Sequence, residues 1–247
     1  MIFGVMFNRK WLFTTILVWI GTAVCIRLGI WQLDRLAQRR LFNAQVESMR
    51  ATTALDLNLG VPVDIDSMEW RAVVVKGTYD FEDQVALRNQ YDADGRYGYH
   101  LLTPLLFGPN AILVDRGWIP ADGNAAPEDW RSYDEPGPVT VNGQLRLGQE
   151  KPAFGGVADP QLAPGQTRLA LWNNLSITRI SNQISPRILP VFMQPNVEAD
   201  DTLPPIPSQP VLELDEGPHL GYAFQWFSFA AILFIGYPFY LRKQAQA

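Results

Sequence analysis

Two long apolar stretches bracket the chain. Trp11 to Leu33 gives 23 residues interrupted by one charge, Arg27, and at 1.5 Å per residue a helix of that length crosses the roughly 30 Å hydrocarbon layer of a bilayer. Leu220 to Leu241 adds 22 uncharged residues that end at Arg242-Lys243. The pattern predicts transmembrane helices over 11–33 and 220–241, with short ends at 1–10 and 242–247 and one long loop over 34–219. Asp34 to Arg50 keeps helical composition, with Leu36, Leu41, Val46 and Met49 among polar residues, so the first helix is expected to continue past the membrane as a stalk.

Beyond the stalk the periodicity changes. β-branched and aromatic runs bounded by Gly, Asn, Asp and Pro predict strands at Trp70–Lys76, Thr78–Phe81, Gln84–Arg88, Tyr97–Phe107, Ala111–Ile119, Val139–Leu147 and Arg168–Trp172. Val139, Val141, Leu145 and Leu147 alternate with Thr140, Asn142, Gln144 and Arg146, the period of a half-buried strand. Asp92-Ala93-Asp94-Gly95 and Gly108-Pro109-Asn110 suit hairpin turns, because Gly and Asn tolerate positive φ. Ile177–Ile184 reads as a short helix stopped by Ser185-Pro186, and the Pro-rich Leu203–Pro210 as a stiff connector. The expected fold is a membrane protein in which two transmembrane helices flank a mainly antiparallel β domain, α+β or barrel-like.

Charge sharpens the picture. All 25 acidic residues lie between Asp34 and Glu216, so the loop 34–219 carries −10 while the flanking segments carry +5 from Arg9, Lys10, Arg27, Arg242 and Lys243. An acidic body disfavours nucleic acid as a partner. The basic pairs outside the spans place both termini in the cytoplasm and the loop across the membrane; Arg35, Arg39 and Arg40 argue the other way but open a long loop, which translocates largely regardless of charge. The reading is an inner-membrane protein of a bacterium with a periplasmic domain. Its single Cys25 excludes an internal disulfide or a dithiol couple.

Familiar catalytic spacings are missing: there is no Gly-x-Ser-x-Gly elbow, Walker loop, Gly-x-Gly-x-x-Gly or His-Glu-x-x-His. Acids such as Asp80, Glu82, Asp83 and the Asp200-Asp201 pair sit in turn-like segments that suit solvated surface, so a non-enzymatic role is expected. The border of the second span is more informative. His219 opens it, with Tyr222, Ala223, Trp226, Ala230 and Leu233 on its helical face. That face suits either an ordinary interfacial aromatic belt or an iron-ligating imidazole over small residues that admit a flat macrocycle. On the first span, Gly21, Cys25 and Gly29 form a small-residue stripe expected to pack on the second. Arg27, inside the apolar layer, either snorkels or, like Arg35, pairs with carboxylates of an amphiphilic ligand. The Arg116-Trp118 pair of Asp115-Arg116-Gly117-Trp118-Ile119-Pro120 either packs internally or faces a partner.

The residues that carry a resemblance are spread along the chain: Leu28-Gly29-Ile30-Trp31-Gln32-Leu33 with Arg35; Arg71 to Gly77 and Tyr79; Gly98-Tyr99-His100 with Thr103-Pro104; Val114 to Pro120; and His219-Leu220 with Tyr222, Gln225 and Trp226. In order, spacing and two-span frame the chain resembles the surfeit locus protein 1 family, assembly factors of haem-copper cytochrome c oxidase. The resemblance implies a chaperone that binds or stabilises haem a for insertion into the oxidase catalytic subunit, with haem a synthase as a further partner and the spans in lipid. It implies His219 as ligand of the haem iron; beside it, from the residues themselves we expect Tyr222, Trp226, Arg27 and Arg35 around the haem, and Trp31, Gln32, Arg116, Trp118 and Gln225 as partner-binding positions. The chain departs from the family in having Arg39-Arg40 where a lysine usually follows the Trp-Gln-Leu block, and Asp115 where Asn is common. The alternative is a structural scaffold of the oxidase that binds no haem. A membrane-anchored hydrolase is a third class, for which the sequence shows no nucleophile–base pair.

Overall fold

A computed structural model describes residues 6–162, 164–184, 187–198, 201–209 and 212–244. The Ser185-Pro186 helix stop, Asp200 of the acidic pair and Pro210 of the connector lie outside these residues, as do the outermost parts of both termini. In chain order the elements are α1 (Leu12–Ala51), β1 (Leu55–Asp56), a 3-10 turn (Ile65–Ser67), β2 (Ala72–Tyr79), β3 (Val85–Tyr91), β4 (Tyr97–Phe107), β5 (Asn110–Pro120), a second 3-10 turn (Pro127–Tyr133), β6 (Pro138–Arg146), β7 (Leu171–Trp172), α2 (Ile177–Ser181), β8 (Ile188–Pro195) and α3 (His219–Gln244). They form two compact units, Met1–Gln45 with Glu213–Ala247, and Val46–Leu212.

The first unit is a helix pair. α1 runs unbroken for 40 residues, about 60 Å, roughly twice the hydrocarbon thickness, and α3 for 26 residues. Both are long and apolar enough to cross a membrane. The Gly21, Cys25, Gly29 stripe faces α3: a Cβ at Gly29 would come within 2.6 Å of the Phe227 ring, and one at Gly21 within 3.5 Å of Leu233. Only a residue without a side chain lets Phe227 sit against the backbone of α1 at this point. Nearer the chain ends, Thr15 Oγ1 and Tyr237 Oη lie 2.7 Å apart, so the helices run antiparallel and a buried hydroxyl pair joins them.

The second unit is a closed barrel. Its circuit is β2-β6-β8-β5-β4, and β4 returns to β2 through Thr78↔Leu106 and Tyr79↔Leu105. Closure requires Gly77, where a Cβ would meet the Leu106 carbonyl oxygen at 2.2 Å. Val73, Val75, Leu105, Phe107, Ile112, Val114, Leu145, Leu189, Val191 and Met193 point inward and fill the interior. On the outside, α2 and the β3–β7 pairing cover a second cluster around Leu102, Leu113, Trp172, Ile180 and Phe192. β5 is therefore buried along nearly its whole length and reads as a continuous apolar run.

The barrel resolves the choice the sequence left open, and it differs from a simple series of hairpins. The two predicted strands across Gly77 are one, β2. β8 appears where no strand was expected, since Pro190 and Pro195 lie within it and proline weakens any strand signal. It pairs parallel with β5, from Ala111↔Ile188 to Val114↔Met193, and antiparallel with β6, which closes the wall. Leu147, expected to share the face of Leu145, lies past the end of β6 and is exposed.

Inside the wall of the barrel, His100 on β4 donates from Nδ1 to Asp115 Oδ2 on β5 at 3.0 Å, and His100 is only 8% exposed. Burial disfavours the charged imidazole, but the Asp115 carboxylate, through charge and hydrogen bond, more than offsets this and lifts His100 above its ordinary 6.5. A raised folded-state value means that the pair's contribution is complete below the unfolded value and is lost as pH rises through the folded one. Thermal unfolding followed by circular dichroism should show stability falling as pH climbs above about 6.5, the unperturbed histidine value, and His100→Gln should flatten that dependence.

Candidate functional site

The helix pair assembles the site around the start of α3. Gly217 takes a positive φ of +65°, Pro218 follows, and the Tyr222 N–H to Pro218 carbonyl bond of 3.1 Å closes the first turn, so His219 stands at the helix entrance. α1 fixes the segment before it. Arg39 donates to the carbonyls of Glu213 and Asp215, Asn43 donates to those of Leu214 and Asp215 at 2.8 and 3.0 Å, and Arg40 makes a bidentate pair with Glu216 at 2.7 and 2.8 Å. The hydrogen bond from Arg40 holds the Glu216 carboxyl below its usual range. Arg39 and Arg40, which read as topology-opposing charges, thus serve as ties along the helix pair.

His219 is half-buried, and its Nδ1 lies 2.8 Å from Gln32 Oε1. Gln32 is 9% exposed. Among the described residues nothing hydrogen-bonds His219 Nε2, and a Cβ at Gly217 would stand in ordinary contact with that nitrogen, at 3.5 Å. Helical geometry places Tyr222 and Trp226 of α3 on one flank of the contact line, together with Leu28, Trp31 and Arg35 of α1. Tyr222 is 48% exposed and Trp226 half-buried, edge-on to Phe229 at 5.9 Å. The Arg35 guanidinium lies 5.6 Å from the Trp31 ring and bonds Gln38 Oε1 at 3.0 Å, leaving further donors. Ala223 and Ala230 are buried against α1. The opposite flank carries an apolar groove of about 440 Å³ lined by Trp19, Thr22, Ala23, Ile26, Phe227 and Ala230 with two further α3 residues.

Of the residues singled out in the sequence, His219, Gln32, Trp31, Arg35, Tyr222 and Trp226 gather at one end of the helix pair. Arg27 precedes Gln32 by about 7.5 Å along α1, toward the middle of the span, and is exposed, with no hydrogen bond or ion pair among the described residues. Gln225 is exposed on α3. Arg116 and Trp118 are corrected as partner-binding positions, because they are 5% and 3% exposed within the barrel unit. Arg116 bonds Gln84, the Tyr133 carbonyl and Glu135 and stacks 5.2 Å from both Tyr79 and Phe81, while Trp118 lies against Gly98. The motif packs inward because the polar head of Arg116 finds its acceptors inside the domain.

Two groupings were not read from the sequence. The Gln32–His219 bond joins residues 187 apart, although Gln32 continues the Gly21, Cys25, Gly29 stripe three residues on and could have been assigned to that face. In the barrel, Ser208 Oγ lies 3.5 Å from His100 Nε2, which brings Ser208, His100 and Asp115 together in space. Ser208 is exposed on a strap, 201–209, whose Ile206 exchanges two backbone hydrogen bonds with Trp118 at 2.8 and 2.9 Å.

The profile of the SURF1 family matches residues 20–231. An uncharacterized SURF1-like protein of Mycobacterium tuberculosis is 27% identical over 245 residues, which cover 96% of this chain and 85% of the relative. A SURF1-like protein of Rickettsia bellii is 24% identical over 235 residues, 93% of this chain and 91% of its own length. A SURF1-like protein of Rickettsia felis is 31% identical over 109 residues, covering 43% and 46% of the two chains.

Proposed function

The chain belongs to the SURF1 family, and from that premise we propose that it is a non-enzymatic assembly factor of haem-copper cytochrome c oxidase, holding haem a at His219 for insertion into the catalytic subunit. The observation that carries the reading is the half-buried His219 at the entrance of a membrane helix, tied through Nδ1 and leaving Nε2 without a partner among the described residues. An imidazole bonded on one nitrogen and open on the other is the form in which histidine ligates a metal. Among the described residues no three His, Cys, Asp or Glu side chains converge on one point, so a metal that brings its own ring of ligands fits this donor better than a bare ion.

The surrounding residues fit such a group. Trp31, Tyr222 and Trp226 provide aromatic surface for a flat apolar ring, the buried Ala223 keeps α3 slim beside it, and Arg35 supplies a cation for carboxylates at the polar border. Bound there, haem a would bring the redox iron and an isoprenoid tail; the chain's part is to ligate, shelter and release. Arg27, deeper on the exposed face, would meet carboxylates only by extending along the helix, so Arg35 is the better candidate. A single side-chain ligand at a border leaves the cofactor removable, as a carrier needs. The remaining parts of the reading are an inner-membrane location in a bacterium, both termini cytoplasmic, the barrel periplasmic, and the oxidase catalytic subunit and haem a synthase as partners.

A chromosomal His219→Ala replacement tests the role in the cell. Haem a in the oxidase should fall to the level of a deletion strain, with the variant protein present in normal amount on immunoblots. Undiminished oxidase haem would overturn the haem role; a loss of maturation without any pigment on the purified wild-type protein would favour the scaffold that binds no haem.

A further inference from the structure

We infer that Gln32 is a positioning residue that fixes the tautomer of His219: its amide oxygen accepts from Nδ1–H and so keeps the Nε2 lone pair bare and aimed away from α1. The inference rests on the haem reading for its purpose, but its physical content concerns the chain alone. The Oε1···Nδ1 separation is 2.8 Å, and Gln32 is 9% exposed, so little water competes for the imidazole at this point. A neutral imidazole must carry its proton on one nitrogen, and an acceptor at Nδ1 decides which. The ring is held from both ends of its own segment: Arg39, Arg40 and Asn43 tie residues 213–216, and Gly29 lets α3 approach α1 beside Phe227, one turn from Gln32. Gln32 therefore stands behind the ligand as carbonyl and carboxylate groups stand behind metal-bound histidines elsewhere.

The chain has two histidines, so the ring nitrogens can be resolved in the full-length protein labelled with 15N-histidine, free of haem and in phosphatidylcholine nanodiscs above pH 8. His219→Ala identifies the signals of His219. The wild type should show the proton on Nδ1; Gln32→Met, similar in size but without an acceptor, should populate the Nε2–H form, and Gln32→Glu should restore Nδ1–H. In parallel, haem retained through detergent washing should fall about 10–100-fold in Gln32→Met and recover in Gln32→Glu. An Nε2–H imidazole in the wild type, a tautomer unchanged in Gln32→Met, or full haem retention in that variant while His219→Ala loses its pigment would each overturn the inference. Normal tautomer behaviour combined with pigment that survives His219→Ala would instead overturn the haem reading and leave the tautomer assignment standing.

Discussion

Gly117→Ala is expected to pull the 201–209 strap away from the barrel and lower the melting temperature by roughly 6–12 °C, from a cost of about 3 kcal/mol. Two effects add. Gly117 has φ of +116°, a region that L side chains rarely enter, and a Cβ there would lie 2.2 Å from the Ile206 carbonyl oxygen and 2.3 Å from its carbon. The obstacle is backbone, so it cannot rotate aside. Moving it breaks the paired Trp118–Ile206 hydrogen bonds and takes with it the Gln194 to Ser208 carbonyl bond of 2.8 Å. Gly95→Ala is the control, since Gly95 also has a positive φ, +78°, but open space around its Cβ position. It should cost only the conformational part, about 1 kcal/mol. Thermal scans of the full chain in detergent would measure both; equal losses in the two variants would mean that the strap contact contributes nothing.

The same motif shows where sequence reasoning stops. Asp115 to Pro120 reads clearly as the end of a strand, yet whether Arg116 faces inward depends on Gln84, before β3, and on Tyr133 and Glu135, at the end of the second 3-10 turn, two separate segments that the fold brings to it. Local pattern carries the long helices, because their apolar runs need no partner to be recognised, and it carries β4 because Asp92 to Gly95 and Gly108-Pro109 bound its run on both sides. It does not carry β8, whose prolines resemble a loop, nor the parallel β5–β8 pairing, which arises from chain closure and leaves no periodicity. At the site, His219 and its aromatic neighbours are legible as a helical face. Gln32 behind it is not, because an amide at the edge of an apolar span has no signature until the opposing helix is in register. Arg39 and Arg40 are similar: as charges they argue about topology, and as donors they hold the turn that presents the imidazole.

The central claim is that His219 Nε2 binds haem iron, and the pigment spectrum of the purified protein tests it most directly. On the proposed reading, removing the ligand from a one-histidine site would leave the iron without its protein bond, whereas Tyr222, Trp226 and Arg35 would meet only the periphery. Full-length protein purified from a haem-a-producing host should therefore show a Soret band that His219→Ala abolishes, at equal protein concentration and with the same helical circular dichroism. A band of unchanged position and intensity in His219→Ala would contradict the assignment.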